Sequence, residues 1–380
     1  MKICGNIVTP EMAKYGHLEY TGSKITAITL TADPVPDADW ILPGFIDVHL
    51  HGVFEGEACA GKVHIMAQRE PETGVVRFCP ASASEPHEDI KSFVAKVREL
   101  VENPLPGSAL LCGSHLEGPF LDLDHKGGMN ENYVRMPDLA EVESWLSAGG
   151  GTIKIMTIAP ELPGADRVIN QLLAHKVRIS AGHSAMTIED LQRFADAGGR
   201  GITHLYDASD GREVVIGIVR PSAADAALLD DRLFIELIPD GVHVPELLVK
   251  LTIRTATAKR VIAITDGMPG AGDPFGDYPK LDAGRPFHFK DGVFRLVENS
   301  EVIVGSALTM NQAFANLVHK FGCTPVESAW MTSGNAARYL GIDHFTGSLQ
   351  PGLAADIAIL KADMKTVKAT IINGETVYQA

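Results

Sequence analysis

Six residues in this 380-residue chain could bind a metal ion and move a proton: His49, His51, Glu117, His183, His204 and Asp266. His49 and His51 close the apolar run Phe45-Ile46-Asp47-Val48-His49-Leu50-His51. On an extended strand their i, i+2 spacing sends both imidazoles to one side, as two ligands of one ion require. Later apolar runs end in the same manner, at His115-Leu116-Glu117, Gly182-His183, Thr203-His204, Asp240-Gly241-Val242-His243 and Thr265-Asp266. Imidazoles combined with a carboxylate suit a divalent transition metal such as zinc or iron, and suit calcium or magnesium poorly. One such histidine carries little weight, because structural histidines are common. Several strand ends each supplying His, Glu or Asp are harder to explain as separate core residues, since buried polar groups cost free energy unless paired. His17, His64, His87, His175, His288, His319 and His344 lack that placement and read as solvated or structural.

The elements that must position these residues follow from hydrophobic patterning. Short runs rich in apolar and β-branched residues cover 40–52, 75–82, 109–117, 152–161, 177–184, 201–209, 232–244 and 260–268. Segments of helical period lie between most of them, for example Ile90, Phe93, Val94, Val97, Leu100 and Val101, or Ile188, Leu191, Phe194 and Ala195. Such alternation predicts a parallel sheet covered on both faces, and eight units predict a (β/α)8 TIM barrel, an α/β fold. In a barrel the C-terminal strand ends share one face, so residues two hundred positions apart converge. An open doubly wound sheet is the runner-up, but it would want a Gly-rich phosphate turn after the first strand, and no G-x-G-x-x-G stands there. The chain ends alternate apolar and polar residues instead, and Asn373-Gly374 marks a hairpin. Residues 1–42 with 346–380 are therefore expected to form a small β-sandwich domain beside a barrel over 43–345. Thr324-Pro325-Val326-Glu327 is a capping box that starts a helix running to about Leu340.

Composition removes several classes of function. With 45% hydrophobic and 21% charged residues the chain can bury a large core, so disorder is excluded. Lys and Arg number 33 against 48 Asp and Glu, a net charge of −15 that disfavours nucleic acid or an anionic membrane as main partner. Any anionic substrate must then be met by local cations. No apolar run approaches the ~20 residues of a membrane span, and the first residues show no signal-peptide core. Five cysteines, Cys4, Cys59, Cys79, Cys112 and Cys323, are odd in number and lack a C-x-x-C pair. They read as reduced thiols in a cytoplasmic protein.

Pro43-Gly44-Phe45-Ile46-Asp47-Val48-His49-Leu50-His51-Gly52 resembles the first-strand motif of the amidohydrolase superfamily. His115-Leu116-Glu117-Gly118-Pro119-Phe120, Ala181-Gly182-His183-Ser184, Thr203-His204-Leu205-Tyr206, Asp240-Gly241-Val242-His243-Val244, Thr265-Asp266-Gly267-Met268 and Gly305-Ser306-Ala307-Leu308-Thr309-Met310 resemble its amino-sugar-phosphate branch. The likeness reaches the tail at Gly347-Ser348-Leu349-Gln350-Pro351-Gly352 and spans essentially the whole chain. It implies that Glu117, His183 and His204 hold one ion, that His49 and His51 hold a second, and that Glu117 bridges them. It further implies that Asp266 serves as general base and then general acid, and that His243 and Arg212 contact a sugar phosphate. Asp207 and Ala208 after the sixth strand, and Gly128 and Met129 after the third, fall at substrate-pocket positions. Three of these depart from the family: Asp207 replaces an Asn, Met129 replaces a His, and Arg212-Glu213-Val214-Val215 replaces Arg-Glu-Pro-Gly.

The chemistry also stands apart from the resemblance. An amide resists neutral water, and a divalent metal makes hydroxide available at neutral pH. Asp266 would take the water's proton and pass it to the departing amine, with His243 helping to hold the oxyanion. The reaction implied by the resemblance is hydrolysis of N-acetylglucosamine 6-phosphate to glucosamine 6-phosphate and acetate, by a homodimer. Two alternatives stay open: deacylation of another N-acyl sugar or N-acyl amino acid without a phosphate requirement, and a barrel kept as a non-catalytic scaffold.

Overall fold

A computed structural model describes residues 1–209, 211–273, 277–278 and 285–380. Eight parallel strands, Phe45–Leu50, Val75–Ser82, Ser114–Glu117, Ile153–Ile158, Arg178–Ala181, Gly201–Ile202, Phe234–Leu237 and Val261–Ala263, lie side by side in chain order. The eighth returns to the first: Asp266 N donates to His49 O at 2.9 Å and His51 N to Gly267 O at 2.8 Å. This is the barrel that the patterning predicts. Its first strand is buried at every residue, as a sheet covered on both faces requires.

The helices outside follow the expected stripes. His87–Glu102 buries Ile90, Phe93, Val94, Val97 and Leu100. Ile188–Ala197 starts at a Thr187/Asp190 capping box. The Thr324/Glu327 box likewise opens Pro325–Ala329, and the helix continues to Leu340 through a π turn at Trp330–Gly334. That turn lets Ser333 Oγ donate to Gly44 O at 2.7 Å, and Asn335 just beyond it donates to Val261 O at 2.6 Å. One helix thereby ties the bottoms of the first and eighth strands together.

The run expected as a single strand over 40–52 breaks at Gly44, where a Cβ would stand 2.2 Å from Val76 Cγ1. Trp40–Pro43, before the break, belongs to a different sheet. The two chain ends meet in one seven-stranded sheet, ordered Glu375–Gln379, Val367–Ile372, Ile357–Leu360, Trp40–Pro43, Lys2–Val8, Ala13–Thr21, Lys24–Ala32. Alternate residues serve opposite faces. Val8, Leu42, Ala358 and Leu360 join the barrel core, while Ile7, Ile41, Ile357 and Ile371 close a second core with Leu18, Tyr20 and Ile25. The two bodies are also joined by a partly buried ion pair, Arg77 Nη2 to Asp356 Oδ2 at 3.0 Å.

Two excursions above the barrel were not anticipated. After the sixth strand comes a hairpin, Glu213–Val215 paired with Ile218–Arg220. After the eighth comes a four-stranded antiparallel sheet, Asp277–Tyr278, Phe287–Lys290, Val293–Leu296 and Ile303–Ser306, packed on Met268 through Phe287, Phe294 and Leu296. No helix among the described residues is long and apolar enough to cross a membrane.

Candidate metal centre and active site

The barrel brings the six residues to one point at the C-terminal ends of its strands. Glu117 lies at the centre. Its Oε1 is 2.9 Å from His204 Nε2 and 3.1 Å from His183 Nε2, and its Oε2 is 3.0 Å from His51 Nε2. His49 Nε2 stands 3.4 Å from Glu117 Oε1. Asp266 Oδ1 completes the cluster, 3.3 Å from His51 Nε2 and 3.6 Å from His49 Nε2. All six are buried.

Of four groups among the described residues whose donor atoms lie within 4.8 Å of one another and could hold a metal ion, two, His49/His51/Glu117 and Glu117/His183/His204, share the Glu117 carboxylate. The residues fit such an ion on chemical grounds. His49 Nε2 is buried without a hydrogen-bond partner among the described residues. His183 Nδ1 donates to His125 O at 2.8 Å, which leaves its Nε2 as a lone pair turned toward Glu117. Nitrogen and oxygen donors in this ratio favour a divalent transition metal.

Without a cation, protons balance the buried carboxylates. Burial would lower His51, but its hydrogen bonds to Asp266 and Glu117 push it up to about 10. His204 rises to about 9 against the same burial, through Glu117. Burial would raise Asp266, yet the hydrogen bond from His51 and the charges of His49 and His51 hold it well below the usual carboxylate range. The site thus stabilises positive charge among its carboxylates.

The backbone here is strained. His183, His204 and Asp266 all have left-handed φ, at 49°, 25° and 47°, as do Tyr206 and Ala208. For residues other than glycine each such conformation costs of order 1–3 kcal/mol and persists only where the surroundings dictate it. The hydrogen bonds that close the barrel and bridge strand ends supply that constraint.

A cavity opens over the centre, lined by Glu117, Gly127, Gly128, Met129, Asp207, Ala208, Asp266 and Arg285 among others. Gly128, Met129, Asp207 and Ala208, singled out in the sequence, therefore line it, whereas His243 and Arg212 are not among its lining residues. Met129 is buried and its sulfur accepts from Ser84 N at 3.3 Å. His243 is oriented by Asp240, whose Oδ2 is 2.6 Å from Nδ1, and groups with Asp207 and Asp266. Burial would lower its pKa, but Asp240 raises it, and Nε2 has no partner among the described residues. Arg212 lies farther off, beside another helix. Within the chain it forks onto Asp225, with Nη2 2.6 Å from Oδ1, and lines a separate groove with Val219 and Leu251.

Three contributors escaped the sequence reading. Arg285 lines the cavity and donates to Gly128 O at 2.9 Å and Met129 O at 3.0 Å. His125 lends His183 its carbonyl. Glu236, inside the seventh strand, places Oε2 3.1 Å from His49 Nδ1. Its signal was present as a lone acid in the apolar run Leu233-Phe234-Ile235-Glu236-Leu237-Ile238.

Known proteins are similar to this chain in sequence and fold. The chain is 31% identical to the N-acetylgalactosamine-6-phosphate deacetylase of Escherichia coli O157:H7, over 87% of this chain and 88% of that one. It is 30% identical to the N-acetylglucosamine-6-phosphate deacetylase of Bacillus subtilis (strain 168), over 97% and 94%. Among solved structures, a mutant N-acetyl-D-glucosamine-6-phosphate deacetylase of Mycobacterium smegmatis in complex with N-acetyl-D-glucosamine-6-phosphate superposes with a TM-score of 0.90 at 28% identity, covering 100% of this chain and 99% of that one. The deacetylase of Thermotoga maritima gives 0.89 at 30% identity, with 100% of both chains covered. The amidohydrolase family model matches residues 40–377, from the strand before Gly44 into the last strand of the terminal sheet. A closed barrel, a carboxylate shared by four imidazoles and a match of that extent have one explanation: the chain belongs to the amidohydrolase family.

Proposed function

We propose that the protein hydrolyses the acetamide of N-acetylglucosamine 6-phosphate, giving glucosamine 6-phosphate and acetate. The observation that carries this reading is Asp266 and the imidazole–carboxylate cluster lying together at the floor of one cavity. The substrates named for the relatives from B. subtilis and M. smegmatis support the sugar, and the E. coli relative makes the galactosamine epimer a necessary comparison.

Glu117, His183 and His204 would hold one ion of zinc or iron, and His49 and His51 with Glu117 a second. A bound divalent metal supplies Lewis acidity and a source of hydroxide at neutral pH. Asp266, held ionised, stands ready to take a proton and return it to the departing amine nitrogen. His243, whose pKa Asp240 raises, would in its protonated form offer Nε2–H to an oxygen of the substrate. Gly127 and Gly128 give the sugar close access to backbone, and Met129 presents an apolar wall.

A second reading, a deacylase of an unphosphorylated N-acyl sugar, is favoured by Asp207, whose carboxylate would repel a phosphate, and by the placing of Arg212 outside the cavity. Steady-state rates on N-acetylglucosamine 6-phosphate, N-acetylgalactosamine 6-phosphate and N-acetylglucosamine separate the two. Equal kcat/KM with and without the phosphate would leave only the second.

A homodimer is supported by the aliphatic surface around the hairpin after the sixth strand. Ile216 is 97% exposed, Ile218 69% and Leu229 75%, a density that suits burial against a second copy. An odd number of cysteines without a C-x-x-C pair supports a cytoplasmic setting.

A further inference from the structure

The deacetylation scheme leaves Glu236 without a task. Its side chain is only 1% exposed, on a strand of otherwise apolar residues, and a buried carboxylate costs free energy unless hydrogen bonds compensate it. The compensation comes from His49 Nδ1 at 3.1 Å, a residue 187 positions away that is itself wholly buried. That contact has a chemical consequence. Oε2 accepts, so Nδ1 carries a proton, and Nε2 is the nitrogen that gives up its own proton to offer a lone pair when a cation binds. Nε2 is the atom turned toward Glu117, 3.4 Å away.

We propose that Glu236 is a positioning residue: it holds His49 in the Nδ1–H form and thereby sets the affinity of the His49–His51–Glu117 half of the centre for its cation. The inference rests on the metal reading above. The other half has an independent device, the bond from His183 Nδ1 to His125 O, so the two halves are tuned separately. A backbone carbonyl orients His183, whereas a carboxylate orients His49 and makes it the more basic ligand. His115 does not compete for this part, although it lies within 4.8 Å of His49 and Glu236. Both its nitrogens are engaged, with Val48 O at 3.0 Å and Thr157 Oγ1 at 2.8 Å, and burial beside His49 keeps it neutral.

The test is a zinc titration of the metal-free full chain against a chromogenic chelator, in wild type and in Glu236→Gln, which keeps the side chain's size. Two binding steps are expected in wild type. In the variant one step loses affinity by about tenfold or more while the other stays within about twofold. Should the variant fail to fold, 15N spectra of histidine-labelled, zinc-saturated wild type decide: His49 is expected with a proton on Nδ1 and zinc on Nε2. A single binding step in wild type, two steps that weaken together or not at all, or zinc on His49 Nδ1 would overturn the proposal. These readouts need no substrate. Two zinc steps without turnover of N-acetylglucosamine 6-phosphate sink the deacetylase reading alone, and turnover with a single step sinks this one alone.

Discussion

Glu117 faces His51 with Oε2 at 3.0 Å and brings Oε1 within 3.1 Å of the imidazoles of the fifth and sixth strands. One carboxylate therefore serves both halves of the donor set. Glu117→Gln is expected to weaken both zinc steps by more than ~100-fold, measured by chelator competition. A loss confined to one step would show that the halves do not share it.

Asp266→Asn keeps the shape of the site and removes its base. A drop in kcat of ~10²–10⁴-fold is expected, with zinc content measured by mass spectrometry unchanged. Wild-type turnover in this variant would assign the proton transfer elsewhere.

Asp207 lines the cavity over the centre and groups with His243 and Asp266. Two like charges about 4 Å apart in a watery cleft exchange ~1 kcal/mol, so Asp207→Asn should lower KM for the phosphorylated sugar about fivefold. The KM for unphosphorylated N-acetylglucosamine should not move. Equal changes in both would mean that Asp207 acts on the sugar ring.

Glu70 lies under the barrel with 2% exposure, and burial together with the charge of Asp47 pushes it from 4.5 up to about 8. Between those two values the folded chain binds more protons than the unfolded one. Stability from this group is therefore greatest below pH 4.5, falls as pH rises toward 8, and levels off above. Glu70→Gln keeps an acceptor for Thr73 Oγ1 and abolishes the penalty. Melting curves should show the variant several degrees above wild type at pH 8.5 and nearly equal to it at pH 4.5.

Ile216→Asp combined with Ile218→Asp places two charges on the exposed hairpin. Sedimentation should then report a monomer where wild type reports a dimer. A wild-type protein that sediments as a monomer would remove the dimer from the proposal.

The barrel was legible in the sequence because strands buried on both faces read as near-continuous apolar runs, and residues such as His51 and Asp266 interrupt those runs at one end only. What the runs could not show was the interior. Glu236 differs from its neighbours only in being an acid, and its partner comes into view once closure of the barrel sets the seventh strand next but one to the first. The four-stranded sheet after the eighth strand was missed although Asp291-Gly292, both at positive φ, carries a hairpin signal between Lys290 and Val293. Arg212 was read from its neighbours in sequence, but barrel geometry does not fix residues on a long excursion. Asp225 is the N3 residue of the Ser222 capping box on the following helix, and it draws the guanidinium to itself.

Trp40–Pro43 pairs on one side with Lys2–Val8 and on the other with Ile357–Leu360. On the ribosome the second of those partners emerges more than three hundred residues after the first. The early strands must wait as an open-edged fragment through the synthesis of the entire barrel, with Trp40 and Leu42 uncovered. Closure of that sheet is then the last assembly event, and a chain cut short before Ile357 leaves an edge free to pair with a neighbouring copy. The long separation makes closure of this sheet depend on prior synthesis of the whole barrel.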